Sequence, residues 1–239
     1  MTTIADPTTT ALLIMDYQPA TLGFLADSDA FVAAAQSAAD ALRAAGGTVV
    51  FVRVAFTDAD YEQFPPRSLM GQRVRGNRPG LDADSPTAAL HGGLVIADGD
   101  IVIRKTRVGS FSTTNLHAAL KDSDIDTVFL AGVHTSGAML TTVREAHDLD
   151  YDVTVLADAC ADPDDDVHAF LLDHIFPRQA RVIRTDELLA SLSAQYSATE
   201  MRRATWVIEH IRTFVNDQAR AQHRDRRRLL QDKDPAGSA

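Results

Sequence analysis

Six short apolar runs, separated by longer polar stretches, recur along the chain. The first of them, ALLIM, has no polar interruption, which is typical of a strand buried on both faces of a parallel sheet. The predicted strands are Ala11–Met15, Thr48–Phe56, Asp100–Thr106, Thr127–Val133, Tyr151–Ala157 and Ala180–Arg184.

Helical patterns fill most of the intervals between these strands. The predicted helices are Phe31–Ala45, Thr113–Lys121, one that starts at about Ala138, one that starts in the acid-rich Asp162–Asp166, and Asp186–Leu192. Strands that alternate with helices predict the α/β class. We therefore expect a six-stranded, mainly parallel and doubly wound sheet with helices on both faces, a three-layer α/β/α arrangement.

The segment Thr57–Gly99 shows little regular pattern and contains four of the nine prolines. A loop of this length in a compact domain is usually functional. We expect it to cover the active site and to shape the substrate pocket, so the sequence does not name the substrate.

The pattern changes again at Gln195, and we divide the chain into a domain of residues 1–194 and a segment of residues 195–239. One helical stripe in this segment is apolar: Ala204, Val207, Ile208, Ile211, Phe214 and Val215. A helix with such a stripe either packs on its own domain or crosses to a second subunit. We expect a homo-oligomer, a dimer or larger, that uses this C-terminal helix.

Charge and composition narrow the class of protein. The net charge is −10, and from Gln195 onwards 9 Lys and Arg face 6 Asp and Glu, which leaves 14 basic and 27 acidic residues elsewhere. The acidic part of the chain before Gln195 argues against nucleic acid as a partner. The basic run Arg224–Arg228 is interpreted as a solvated end of the chain. No apolar run approaches the roughly 18 residues of a membrane span, and MTTIADPTTT lacks the features of a secretory signal. With Cys160 as the single cysteine, a cytoplasmic protein without disulfides is expected.

Three features are predicted to meet at the carboxyl edge of the sheet, where ligands of doubly wound proteins bind. Asp16 follows the first strand, Lys105 ends the third, and the turn Gly132–Ala138 leaves the fourth. An aspartate beside a lysine suits proton transfer, because the ammonium also stabilises developing negative charge. The eight histidines show no ligand-like spacing, so no metal and no cofactor is predicted.

The motifs ALLIMDYQ, IVIRKTRVGSF and FLAGVHTSGAMLTTVREAHDLDYDVTVLADACAD resemble those of the isochorismatase-like (cysteine hydrolase) superfamily, from about Ala11 to Leu192. This resemblance implies a Rossmann-like sheet and a small-molecule substrate. Most members hydrolyse amides or related C–N bonds with an Asp–Lys–Cys triad, which implies that Asp16 is the acid or base and Lys105 its partner. Ala138 then occupies the position of the family's cysteine, after Thr135-Ser136-Gly137. The resemblance also implies a cis bond between Val133 and His134.

Three functions remain open. The isochorismatases proper also lack the cysteine and cleave a vinyl ether by protonation and attack of water; the segments Lys105–Phe111 and Ala157–Asp162 are similar to theirs. The first hypothesis is therefore a nucleophile-independent hydrolase, with the turn from Ser136 to Ala138 holding an anion. The second is a cysteine-type amidohydrolase whose nucleophile is replaced by Ala138, and the third is a non-catalytic binding protein.

The predicted substrate contacts are Gln18, Phe111, His134, Thr135, Ser136 and Gly137. Cys160 is interpreted as a small buried residue rather than as a displaced nucleophile.

Overall fold

Six parallel strands form a single sheet in the order β3-β2-β1-β4-β5-β6 in the computed structural model, which describes residues 6–25 and 28–194. The strands are β1 (Thr10–Met15), β2 (Thr48–Val54), β3 (Ile101–Lys105), β4 (Thr127–Val133), β5 (Asp152–Ala161) and β6 (Arg181–Ile183). The predicted α/β class and six-stranded parallel sheet are confirmed.

The order of the strands places a topological switch point at the centre of the sheet. β1 pairs with β2 on one side and with β4 on the other, so the chain winds outwards in two directions. The crevice at the carboxyl ends of such a strand pair is where doubly wound proteins bind ligands. Met15 and Gly132 are register partners there, so Asp16 and Val133 follow side by side.

Helices of varied length connect the strands. They are α1 (Pro19–Leu22), α2 (Ser28–Ala44), α3 (Asp58–Glu62), α4 (Leu69–Gly76), α5 (Leu116–Asp122), α6 (Leu140–Asp148), α7 (Asp165–Phe170) and α8, which begins at Thr185. Single turns of tighter or wider helix are Pro7–Thr9, Pro86–Ala88, Thr135–Met139, Leu171–Ile175 and Phe176–Arg178. Within the described residues, no helix combines the length and the apolar content that a membrane crossing requires.

The core lies on both faces of the sheet. Leu12 and Ile14 of β1 pack with the helix α2, whereas Leu13 and Met15 pack with α5 and α6 on the opposite face. Because successive side chains of a strand point to opposite faces, a strand with helices on both sides must be apolar throughout. This explains the uninterrupted run ALLIM, which is fully buried.

The segment Thr57–Gly99 is more regular than predicted. It contains α3, α4 and a local cluster of Phe56, Tyr61, Phe64 and Val74. The hydroxyl of Tyr61 donates to Asp82 Oδ1 over 2.8 Å, which ties α3 to the later part of the segment. The helices are short, and only Tyr61, Met70 and Val74 of their side chains face this small cluster, so no long amphipathic pattern marks them in the sequence.

The end of β5 and the helix after β1 also differ from the prediction. β5 continues to Ala161 rather than ending at Ala157, because a register shift after Leu130 lets Cys160 and Ala161 pair with Gly132 and Val133. The short helix α1 was not predicted. The predicted C-terminal helix and basic tail lie outside the described residues and stay predictions.

Candidate active site

Asp16 leaves β1 at a sharp change of backbone direction. Its φ is 61°, in the left-handed region that aspartate tolerates better than most residues. The Asp16 N–H donates to Val52 O over 2.8 Å, and its carbonyl accepts from Gln18 N and from the Thr21 hydroxyl. These three hydrogen bonds fix the backbone of Asp16 at the carboxyl edge of the sheet.

Asp16 and Lys105 form a buried ion pair, as the sequence predicts. Lys105 Nζ lies 2.8 Å from Asp16 Oδ2, and the two side chains are 1% and 8% exposed. β2 separates their strands, a gap of roughly 10 Å at the usual strand spacing, and the four-carbon stem of lysine is long enough to span most of it. Nζ also donates to Val108 O over 2.6 Å, so the loop after β3 holds the ammonium in place.

The protonation of Asp16 is set by opposing effects. Burial raises the pKa of the Asp16 carboxyl above its usual value, while the charges of Lys105 and His134 oppose that rise. Oδ1 of Asp16 is buried and has no hydrogen-bond partner among the described residues. An unpaired buried oxygen is costly, so this atom is the natural contact for a polar group of a ligand.

His134 connects the β4 turn to the segment after β1. The Val133–His134 peptide bond is cis, as predicted. His134 Nε2 lies 3.0 Å from Thr21 O, and because a carbonyl only accepts, Nε2 carries the hydrogen. The imidazole also meets the edge of the Phe24 ring at 6.1 Å between centroids. His134 is therefore half-buried and held from two sides.

The turn Thr135–Met139 is a single wide helical turn, and the regular helix α6 begins at Leu140, two residues after the predicted start at about Ala138. Thr135 Oγ1 lies 2.8 Å from His168 Nδ1, and Ser136 N donates to Asp162 Oδ2 over 2.7 Å. Gly137 N donates to His134 O over 3.0 Å. Two of the N–H groups expected to hold an anion are thus already engaged, one of them with a carboxylate, which disfavours an anion at Ser136.

The two residues relevant to covalent catalysis are both buried. Ala138 is 5% exposed and offers only a methyl group to the turn. Cys160 is 1% exposed beside Gly132, and burial raises the pKa of its thiol to about 12. Because the thiolate is the nucleophile, Cys160 is unreactive near neutral pH.

Gln18 and Phe111 take part in the scaffold. The Gln18 amide donates to Val54 O and Ala88 O over 2.9 and 2.7 Å and accepts from Val54 N over 2.8 Å, so both of its hydrogens and its oxygen are engaged. Phe111 is 8% exposed and stacks on Tyr151. A substrate would have to displace one of these contacts, and direct binding by either residue stays a prediction.

Sequence reasoning missed Asp162 and His168, the two side chains that hold the turn. The sequence assigns the acid-rich Asp162–Asp166 to a helix start and uses Asp162 otherwise only as the end of the similar segment Ala157–Asp162. Asp164 fills the role at the helix start by accepting from Val167 N over 3.1 Å. Asp162 instead follows β5 directly, beside β4, and this position at the carboxyl edge was the available signal. The described ranges contain no group of three or more His, Cys, Asp or Glu side chains that could hold a metal ion.

Comparison with known proteins agrees with this geometry. The profile of the isochorismatase domain family matches residues 10–187. An isochorismatase family protein of Escherichia coli, YecD, is 33% identical over 194 residues, which cover 77% of this chain and 96% of that protein. The chain therefore belongs to the isochorismatase family, a family of hydrolases.

Solved structures show the same fold. An isochorismatase family protein from Burkholderia thailandensis superimposes with a TM-score of 0.67 and 26% identity, over 78% of this chain and 96% of that chain. A cysteine hydrolase from Pseudomonas syringae gives a TM-score of 0.70 at 23% identity, over 81% of this chain and 96% of that chain.

Proposed function

We propose that this chain is a hydrolase of small molecules that works without a covalent cysteine intermediate, with Asp16 as general acid and base and Lys105 as its electrostatic partner. The observation that carries the proposal is the buried pair itself: a carboxyl group fixed by an ammonium at 2.8 Å through Oδ2, with the buried Oδ1 unpaired.

The pair suits proton transfer for a physical reason. Burial raises the pKa of Asp16 and so favours the protonated acid, while Lys105 keeps the carboxylate form accessible. In the proposed reaction Asp16 gives its proton to the substrate, and water attacks the activated carbon. The carboxylate then takes a proton back from that water, which restores the acid. For a vinyl ether the resulting hemiketal breaks its bond to the ether oxygen, so one water is consumed and a ketone and an alcohol are released.

A covalent route lacks its nucleophile. Residue 138 is alanine, and the one thiol of the sequence, Cys160, is buried with its pKa raised to about 12. The resemblance that places Ala138 at the family's cysteine position also keeps the second hypothesis open, an amidohydrolase that has lost its nucleophile. The buried methyl group of Ala138 supports two alternatives to the same degree, this inactive amidohydrolase and a non-catalytic binding protein.

The deciding experiment compares two Asp→Asn variants at left-handed backbone positions. Turnover is assayed with isochorismate, the vinyl ether of the family name, and with a panel of small amides. Asp16→Asn should abolish turnover, whereas Asp124→Asn, at φ 55° on the exposed surface, should leave it unchanged. Undiminished turnover in Asp16→Asn contradicts the mechanism.

A second variant separates the alternatives. Ala138→Cys restores a thiol to the turn and should leave the amides unhydrolysed if the chain works without a nucleophile. A gain of amide hydrolysis that iodoacetamide removes would instead favour the amidohydrolase that has lost its cysteine. Absence of turnover in both the unmodified chain and Ala138→Cys, for every compound of both classes, would favour the binding protein.

A further inference from the structure

A pocket of about 190 Å³ lies on the β5 side of the turn Thr135–Met139. Its lining comes from the segment after α1, the start of α2, the end of β5 and α7: Phe24, Leu25, Phe31, Cys160, Ala161, Asp162, Pro163, Asp165 and His168. Neither Asp16 nor Lys105 belongs to this lining. The pocket is therefore distinct from the ion pair, although Asp162 and His168 of its lining contact the turn.

One wall of the pocket is apolar. Phe24, Leu25 and Phe31 form it, and the ring of Phe24 is 65% exposed. An apolar ring at the mouth of a pocket gains burial when a ligand covers it. A cavity of roughly 150 Å³ holds benzene in a well-studied case. The volume here is thus enough for one ring with a short substituent.

The other wall is negatively charged. Asp162 and Asp165 line it, and no Lys or Arg does. Burial lowers the pKa of His168, so its imidazole is neutral at pH 7 and does not offset these charges. Asp165 makes no ion pair with any residue of the described ranges 6–25 and 28–194. Its carboxylate is available to a cation.

We propose that this pocket binds a small organic cation, an ammonium attached to a single apolar ring. The ammonium lies between Asp162 and Asp165, and the ring packs against Phe24 and the two apolar side chains beside it. Opposite charge selects the head group, and apolar area supplies the contact for the ring. This binding does not depend on the proposed hydrolysis.

The pocket is also connected to the candidate active site through its polar wall. Asp162 accepts from Ser136 N, and His168 contacts the Thr135 hydroxyl, so two residues of the lining hold two residues of the turn. The bound cation therefore lies one residue layer from the turn that carries Ala138.

The experiment titrates the full chain with benzylamine and follows the ligand by nuclear magnetic resonance. Benzyl alcohol and benzoate have the same ring with a neutral and an anionic group. Benzylamine should bind saturably, with a Kd on the order of 1 mM for so small a ligand. Benzyl alcohol should bind at least about threefold more weakly, and benzoate should not bind.

Variants locate the site. Asp165→Asn should weaken benzylamine binding about threefold or more, while Asp166→Asn, the exposed neighbour outside the lining, should not change it. Phe24→Ala should weaken binding, whereas Phe170→Ala, at another exposed ring, should not. The proposal is overturned if benzylamine does not saturate, if benzyl alcohol binds as well as benzylamine, or if the control variants weaken binding as much as their partners. Circular dichroism checks that each variant is folded.

Discussion

Lys105 Nζ lies 2.8 Å from Asp16 Oδ2, although the residues belong to strands on opposite sides of β2. Both side chains are almost fully buried, and the ammonium is also bound by the carbonyl of Val108. A buried charge pair is favourable only while both partners are present, because each charge alone has lost its water. This relationship has consequences for stability as well as for chemistry.

Lys105→Met should destabilise the protein by about 3–5 kcal/mol at pH 7, because it leaves the Asp16 carboxylate buried without a cation. Urea unfolding measures the free energy. The double variant Asp16→Asn, Lys105→Met should be more stable than Lys105→Met alone, since neither charge is then left unpaired. If the free energy of unfolding of Lys105→Met lies within about 0.5 kcal/mol of that of the parent protein, the pair is not buried in solution.

The pH dependence of stability tests the raised pKa of Asp16. The pKa of Asp16 is higher in the folded chain than in the unfolded chain, so between these two pKa values the folded chain binds more protons. The contribution of Asp16 to the free energy of unfolding therefore falls as pH rises through that window. The free energy of unfolding of the parent chain, minus that of Asp16→Asn, should therefore fall as pH rises from below 3.8 and then become constant. A difference that increases with pH would indicate a lowered pKa instead.

Much of this site follows from the sequence for identifiable reasons. β1 is buried on both faces and ends at the first charge, so its run of apolar residues predicts both the strand and the position of Asp16. Lys105 is predicted in the same way, because carboxyl ends of parallel strands meet at one edge. The helices α3 and α4 escape prediction because Tyr61, Met70 and Val74 face a cluster that exists only after folding, which is too few residues for a helical pattern.

The contact between Asp162 and Ser136 could not be predicted, because it depends on a register that the sequence does not display. The shift after Leu130 extends β5 until Ala161 pairs with Val133, and only then does Asp162 reach the turn. A pattern of single residues predicts which strands exist, but irregular pairing between two strands decides which of their terminal side chains touch.

Asp162→Ala should cost about 1–3 kcal/mol, since it removes the acceptor of Ser136 N at a position that is only 9% exposed, where water replaces little of it. Asp162→Asn keeps an acceptor oxygen and should lose less. Thermal unfolding measures both, with Asp166→Ala as the exposed control in the neighbouring helix. If the control loses as much stability as Asp162→Ala, the loss does not come from the contact with the turn.

The apolar stripe between Ala204 and Val215 predicts how the chain assembles. The stripe lies outside the described residues. We propose that this stripe is shared between subunits of a homo-oligomer, because the helix predicted here would need an apolar partner for its stripe. A chain shortened to residues 1–194 should then have a smaller mass by light scattering than the full chain. Ile211→Asp in the full chain should give the same reduction, whereas Arg212→Asp, beside the stripe, should not. An unchanged mass in both the shortened chain and Ile211→Asp would assign the stripe to packing within one subunit.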